Sequence, residues 1–324
     1  MNHTLLRCCA ILMLLGFGLF WHKPAHAAIT CSASMSSLAF GSVDPQSSQT
    51  DSNATLSYTC TNSKGGGKQS AMICFSIGEP AGGPTDPRQM HDAAGDSLDF
   101  QLYQDPAHSI VWGSQFFGSP TPVQLAITLG NNASTSGTLT LYGRVLGNQT
   151  TAVPGAYADD YGPGDTAITI NEVHGNNPPA TCGGTTSARF GSFVVFASVV
   201  PKCTITANPL DFGNVGLLTS AIDATTTLEV QCSDGTPYNV GLNAGQNGGS
   251  VDARRMVLGA NAISYQLYRD SSRTQVWGDT VDTDTVAGSG TGNPQSLTVY
   301  GRVTVQPTPP AGNYNDTIVV TVTY

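Results

Sequence analysis

The sequence predicts an all-β protein built from two tandem β-sandwiches, and three observations carry that expectation. Of 324 residues only 11% are charged, while 37 are Gly and 19 are Pro. That composition leaves no room for long charged helices and suits short strands joined by tight turns. Short runs alternate apolar with polar residues. Leu98, Phe100 and Leu102 alternate with Asp99 and Gln101, as Ile263, Tyr265 and Leu267 do with their neighbours, which is the period of a half-buried strand. Finally, the chain repeats itself. Cys31 to Cys60 and Cys203 to Cys232 are each 29 positions apart, and the residues between and after them match in order.

The repeat supplies the elements. Leu38-Ala39-Phe40-Gly41-Ser42-Val43 returns as Leu210-Asp211-Phe212-Gly213-Asn214-Val215. Gln101-Leu102-Tyr103 with Val111-Trp112-Gly113 returns as Gln266-Leu267-Tyr268 with Val276-Trp277-Gly278. The strand Leu139-Thr140-Leu141-Tyr142-Gly143-Arg144-Val145 returns as Leu297-Thr298-Val299-Tyr300-Gly301-Arg302-Val303, and Gly155-Ala156-Tyr157-Ala158-Asp159 as Gly312-Asn313-Tyr314-Asn315-Asp316. At the end Ile318, Val320, Val322 and Tyr324 alternate with polar or outward positions. Turn clusters such as Asn131-Asn132-Ala133-Ser134 and Gly245-Gln246-Asn247-Gly248-Gly249 separate the runs. Two homologous domains follow, 28–200 and 201–324, each of ordinary size.

Residues 1–27 read as a secretory signal. Met1 to Arg7 is basic, Cys8 to Trp21 is apolar, and Ala25-His26-Ala27 offers small residues for cleavage before Ala28. No other run approaches the roughly 20 apolar residues that span a bilayer, so the expectation is an exported protein with no membrane span. Export makes disulfides the default for Cys31, Cys60, Cys74, Cys182, Cys203 and Cys232. The repeat pairs Cys31 with Cys60 and Cys203 with Cys232, which leaves Cys74 and Cys182 for each other or as a free thiol pair. Zinc is the competing idea, but no C-x-x-C is present and His91, His108 and His174 are scattered singly. No metal and no cofactor is expected. A net charge of −9 without a basic run argues against a nucleic-acid partner.

With these motifs in view, the chain resembles the spore coat protein U-like domain family found in subunits of archaic, Csu-type chaperone–usher pili. The resemblance rests on the opening Cys with Leu-x-Phe-Gly-x-Val, the second Cys, Tyr-x-Leu-Tyr, Trp-Gly, Tyr-Gly-Arg-Val and the closing Gly-x-Tyr-x-Asp. It is strongest over 201–324 and extends over the first copy with insertions. It implies pilin-like, incomplete immunoglobulin-like sandwiches completed by a donor strand in trans. The implied partners are a periplasmic pilus chaperone, an usher and an adjacent adaptor subunit. A two-domain member is similar to the tip adhesin of such a pilus, a role in attachment and biofilm formation at the cell surface.

Several expectations build on this. Only Ala28, Ile29 and Thr30 stand between the leader and Cys31, at most about 11 Å of chain, so the subunit is expected to accept a strand without giving one. The apolar run 190–200 is expected to complete the first domain in cis, the alternative being a linker. The second domain reaches Tyr324 within its last paired strand and is expected to keep an acceptor groove lined by Leu210, Phe212, Ile318, Val320 and Val322. Ordinary core membership is the plainer role for those five.

For adhesion, the first copy differs from the second in its loops. After Trp112-Gly113 it carries Ser114-Gln115-Phe116-Phe117-Gly118-Ser119-Pro120-Thr121-Pro122-Val123 where the second copy is polar. Phe116, Phe117, Pro120, Pro122 and Val123, with Tyr157, Tyr161, Pro163 and Pro80 of neighbouring loops, are the candidate contacts with hydrophobic or abiotic surfaces. The alternative for Phe116 and Phe117 is packing against the 171–189 insertion. A carbohydrate-binding lectin using Tyr157, Asp159, Asp160 and Tyr161 is one rival; a structural coat protein is another. An enzyme is the remotest: there is no G-x-S-x-G, no H-E-x-x-H and no phosphate-binding glycine loop, and Asp159-Asp160 with Asp86 or Glu79 read as solvated turn residues.

Overall fold

The computed structural model describes residues 29–63, 67–116 and 122–324; the leader expected at 1–27 lies outside them. The first copy contains β1 (Ile29–Met35), β2 (Leu38–Val43), β3 (Thr50–Asn62), β4 (Gln69–Ile77), β5 (Arg88–His91), β6 (Ser97–Tyr103), β7 (Val123–Leu129), β8 (Ser134–Val145), β9 (Gly155–Tyr161), β10 (Thr166–His174), β11 (Thr186–Ala188) and β12 (Phe193–Val199). The second contains β13 (Cys203–Ala207), β14 (Ile222–Cys232), β15 (Pro237–Leu242), β16 (Arg255–Leu258), β17 (Asn261–Tyr268), β18 (Val286–Ser289), β19 (Gln295–Val303) and β20 (Val320–Thr323). Among the described residues no helix is long and apolar enough to cross a membrane.

Each copy packs one sheet on another. In the first, the order β1-β3-β8-β6-β5-β9-β12-β2 faces the order β11-β10-β4-β7; in the second, β13-β14-β19-β17-β16 faces β18-β15-β20. The long strands alternate as their sequences do: Ala54, Leu56 and Cys60 of β3 point inward between exposed Thr and Ser. Two separate cores result. Val199 closes the first and Cys203 opens the second.

The repeated motifs hold each sandwich together. Leu38 and Phe40 lie over Gly143, where a Cβ would overlap both side chains, and Leu210 and Phe212 lie likewise over Gly301. The Leu-x-Phe and Tyr-Gly-Arg-Val motifs are thus two halves of one contact. The following Arg is paired outside: Arg144 with Asp51 at 2.7 and 2.8 Å, Arg302 with Asp223 at the same distances. Trp112 donates its indole N–H to the Phe75 carbonyl at 2.9 Å, and Trp277 to that of Val240 at 2.8 Å. Beside each Trp is a buried arginine. Arg88 donates to Gln101 at 3.1 Å and to the Trp112 carbonyl at 3.0 Å; Arg254 donates to Gln266 and to the Trp277 carbonyl, both at 2.7 Å. A buried guanidinium needs such a ring of acceptors, which is why Gln opens the repeated Gln-Leu-Tyr.

The disulfides join Cys31 to Cys60 and Cys203 to Cys232 at directly opposed positions of paired strands. Cys74 joins Cys182 with their Cα atoms 5.8 Å apart, tying the insertion after β10 back to β4.

Candidate functional site

The copies differ most at one place in the larger sheet. In the first copy β12 lies between β9, antiparallel to it, and β2, parallel to it. Its inward residues Phe193, Val195, Ala197 and Val199 are all buried, and the Phe193 ring stacks on Tyr161 with centroids 4.5 Å apart. Leu38, Phe40 and Val43 of β2 are buried beneath the same layer.

In the second copy the corresponding segments, 210–215 and 312–318, form no strand, and nothing among the described residues lies between them. Leu210 and Phe212 are only half-buried, and Val215 is 44% exposed. A cleft of about 460 Å³ opens there, lined by Leu210, Phe212, Met256, Tyr265, Ile318 and Val320 among others. Four of the five expected groove residues therefore meet in one cleft. Val322 does not: it pairs with Val240 on β15, in the opposite sheet. Polar residues Asn208, Thr226, Asn315, Asp316 and Thr317 also line the cleft, and the Tyr265 hydroxyl donates to Asp316 at 2.7 Å. Burial, with Asp316 alongside, holds that phenol protonated far above its ordinary range. In the first copy Phe100 takes the place of Tyr265, and the cleft is filled.

The expected surface loops fare unevenly. Phe116 is 41% exposed, Pro163 is exposed and Pro80 half-buried; Phe117 and Pro120 lie outside the described residues. Pro122 is buried and Val123 half-buried where β7 begins. Tyr157 and Tyr161 require correction. They lie on β9, not in a loop, and both are 1% exposed. The alternation Tyr157-Ala158-Asp159-Asp160-Tyr161 has the period of a strand and turns both rings and Asp159 inward, so the aromatic lectin set is not on the surface. The cause is the neighbouring β12, whose Phe193 and Val195 lie opposite Tyr161 and Asp159.

Beneath β12 is a buried polar cluster that the sequence did not announce. Arg88 pairs with Glu79 and donates to Tyr161 at 3.1 Å, with Asp159 close by. Burial pushes the Glu79 carboxyl up to about 7 and that of Asp159 up to about 6, against the pull of Arg88. In the sequence Glu79 reads as a solvated turn residue next to Pro80, whereas it is 5% exposed. The signal was Gln101 recurring at Gln266, each serving a buried Arg.

The second copy sits at the end of the first that carries the turns before β3 and after β8. Gln46 donates to the carbonyls of Lys202 and Gln231 at 3.4 and 3.3 Å, and Asp44 lies 3.7 Å from the Lys202 ammonium. The opposite end gathers the turns around Asn62, Gly130 and Gly175: Asn62 donates to the Gly130 carbonyl at 2.9 Å and Gly175 to that of Lys68 at 3.0 Å. Asn131, Asn132, Asn176 and Asn177 make that end polar. The outer face of β1, β3 and β8 leading to it is a registered field of hydroxyls, Ser32 beside Thr59 beside Ser136 and Ser34 beside Ser57 beside Thr138. In the second copy Gln231 and Glu229 replace Thr59 and Ser57 opposite Thr204 and Thr206.

Comparison with known proteins places these features. The profile of the Spore Coat Protein U domain matches residues 19–161 and again 189–321. Protein U of Myxococcus xanthus is 31% identical over 153 residues, 46% of this chain and 82% of that protein. Among solved structures, the CsuC-CsuE chaperone-tip adhesion subunit pre-assembly complex from archaic chaperone-usher Csu pili of Acinetobacter baumannii aligns with a TM-score of 0.51 at 18% identity, covering 91% of this chain and 100% of that one. That likeness is one of fold.

Proposed function

The chain belongs to the Spore Coat Protein U domain family, in two copies, and on that premise we propose that it is the tip adhesin of a chaperone–usher pilus. It is exported through the periplasm to the cell surface. The second copy accepts a strand, first from a periplasmic chaperone at an usher and then from an adaptor subunit. The first copy faces the surface to be bound. One observation carries this reading: the slot that β12 fills in the first copy is open in the second, with the same Leu-x-Phe pair on its edge. An open edge above an exposed core is a site for strand addition. A peptide with the sequence of residues 190–200, added to the full mature chain, should raise the melting temperature of the second copy; an unchanged transition speaks against an acceptor cleft.

Attachment through apolar loops rests on Phe116 with Pro80 and Pro163. Phe116→Ser should lower attachment to polystyrene without changing assembly. A second reading, binding to a hydroxyl-rich glycan surface and so to biofilm matrix, is favoured by the polar far end and the Ser/Thr face beside it. Inhibition of attachment by soluble polysaccharide, with Phe116→Ser without effect, selects that reading over the first.

A further inference from the structure

The strand that completes the first copy is the leading segment of the second. β12 ends at Val199, and only Val200, Pro201 and Lys202 separate it from Cys203, the first residue of β13. The second family match itself begins at residue 189, ahead of β12. The molecule is therefore already a short fibre in which one family domain gives its leading strand to another and then seats its own body against the end of the acceptor. The seat is made by Asp44, Gln46 and the turn after β8, where Thr150 packs against Gly292.

The same end of the second copy has nothing on it among the described residues. Pro45, in the turn after β2, is buried, whereas Leu217 at the matching repeat position is 71% exposed. Val305, in the turn after β19, is 63% exposed. Leu218 and Gln306 join these two turns, the Gln306 N–H donating to the Leu218 carbonyl at 3.2 Å, so Leu217 and Val305 share one end of the second copy, the end toward which the cleft's edge segment 210–215 runs. Isolated apolar residues are common on surfaces. Two of them at the end where the first copy receives a domain, with Val215 of the slot's edge segment also exposed two residues before Leu217, form a seat.

We infer that this face docks the body of the subunit whose strand fills the cleft. That subunit is a further domain of the same family, with an alternating apolar strand that ends about three residues before its opening cysteine, the spacing that places the second copy on the first. The inference rests on the strand-acceptor reading and adds to it a second contact surface and a linker length. A short linker couples the two contacts, because a tethered body meets the end face at high effective concentration.

The test places a photo-reactive amino acid in the full chain, in cells that assemble it, at two sites in turn. Pro209 stands at the repeat position of Ser37, whose hydroxyl accepts the Val194 N–H of β12 at 3.3 Å, and so reports the strand. Leu217 reports the body. Both should crosslink to the same family member, from Pro209 to its segment before the opening cysteine and from Leu217 to its residues beyond that cysteine. Leu217→Ser with Val305→Ser should cut recovery of that partner with the chain at least tenfold while leaving the Pro209 crosslink detectable. No crosslink from Pro209 overturns the strand-acceptor reading, and this inference with it. A Pro209 crosslink with Leu217 silent, or with Leu217 joined to a chaperone, to an unrelated protein or to another copy of this chain, overturns the docking inference and leaves the acceptor reading standing.

Discussion

Leu38 and Leu210 hold the same place in the repeat and lie over the same glycine, yet the first is fully buried and the second only half-buried. The residues around them match as well, Phe40 with Phe212 and Val43 with Val215. The difference is one strand. Burial here belongs to the neighbour as much as to the residue, and a sequence that is core in one copy is the half-buried lining of a cleft in the other. Filling the slot with Phe193, Val195, Ala197 and Val199 removes enough apolar surface to stabilise the first copy by several kcal/mol, at about 1.5–3 kcal/mol for each large side chain.

The contrast can be broken outright by Val195→Asp. An unpaired charge in the middle of β12 should prevent the first copy from folding, read as loss of its thermal transition, while the second copy keeps its own. It is sharpened by matched truncations. Leu38→Ala should cost about 3–5 kcal/mol, because the cavity forms in a closed core. Leu210→Ala should cost about 1 kcal/mol in the chain alone, where the side chain already borders water; equal losses in denaturant melts would show the second slot to be closed. Replacing both Cys74 and Cys182 by Ser should cost the first copy about 2–4 kcal/mol and the second copy nothing, measured by the two transitions in calorimetry.

The smallest effect is in pH. Glu79 and Asp159 titrate above their unfolded values, at about 7 and about 6, so the folded first copy holds protons that the unfolded chain has released. The stability this provides is complete below about pH 4 and is lost as pH rises through 6 and 7. The first copy should therefore melt at a lower temperature at pH 8 than at pH 5. Glu79→Gln should flatten that slope. The second copy should not share it, since Arg254 donates to carbonyls and to Gln266, with Ala244 in the place of Glu79.

Much of this was legible in the chain because a repeat supplies its own alignment. The paired Cys31 and Cys60, the extra Cys74 and Cys182, the apolar run ending at Val200 and the Leu-x-Phe edge of the cleft each stand out where one copy has what the other lacks. Other parts were not legible. Tyr157 and Tyr161 sit beside Gly155 and Gly162 and look like turn residues; their period-two spacing was the better guide. Arg88 and Glu79 are far apart in character from core residues, and only the fold brings Gln101 and the carbonyls of Gly78 and Trp112 around the guanidinium. The position of a loop along the sandwich depends on strand order, which alternation does not encode. For that reason the exposure of Phe116 is readable in the chain but its place along the sandwich is not, and neither is the Asn-rich far end.

The junction through Val200, Pro201 and Lys202 also decides how the molecule bears load. A pull on the second copy against the first runs along the axis of β12, against hydrogen-bonded ladders on both of its sides. In that direction the bonds are loaded together in shear and not peeled one at a time, so separation of the two copies is governed by the rate at which the whole strand is released. Should β12 slip, Cys182 remains bonded to Cys74 in β4. The released segment from Gly183 to Lys202 could then pay out roughly 70 Å of slack before the disulfide took the strain, a leash behind the latch.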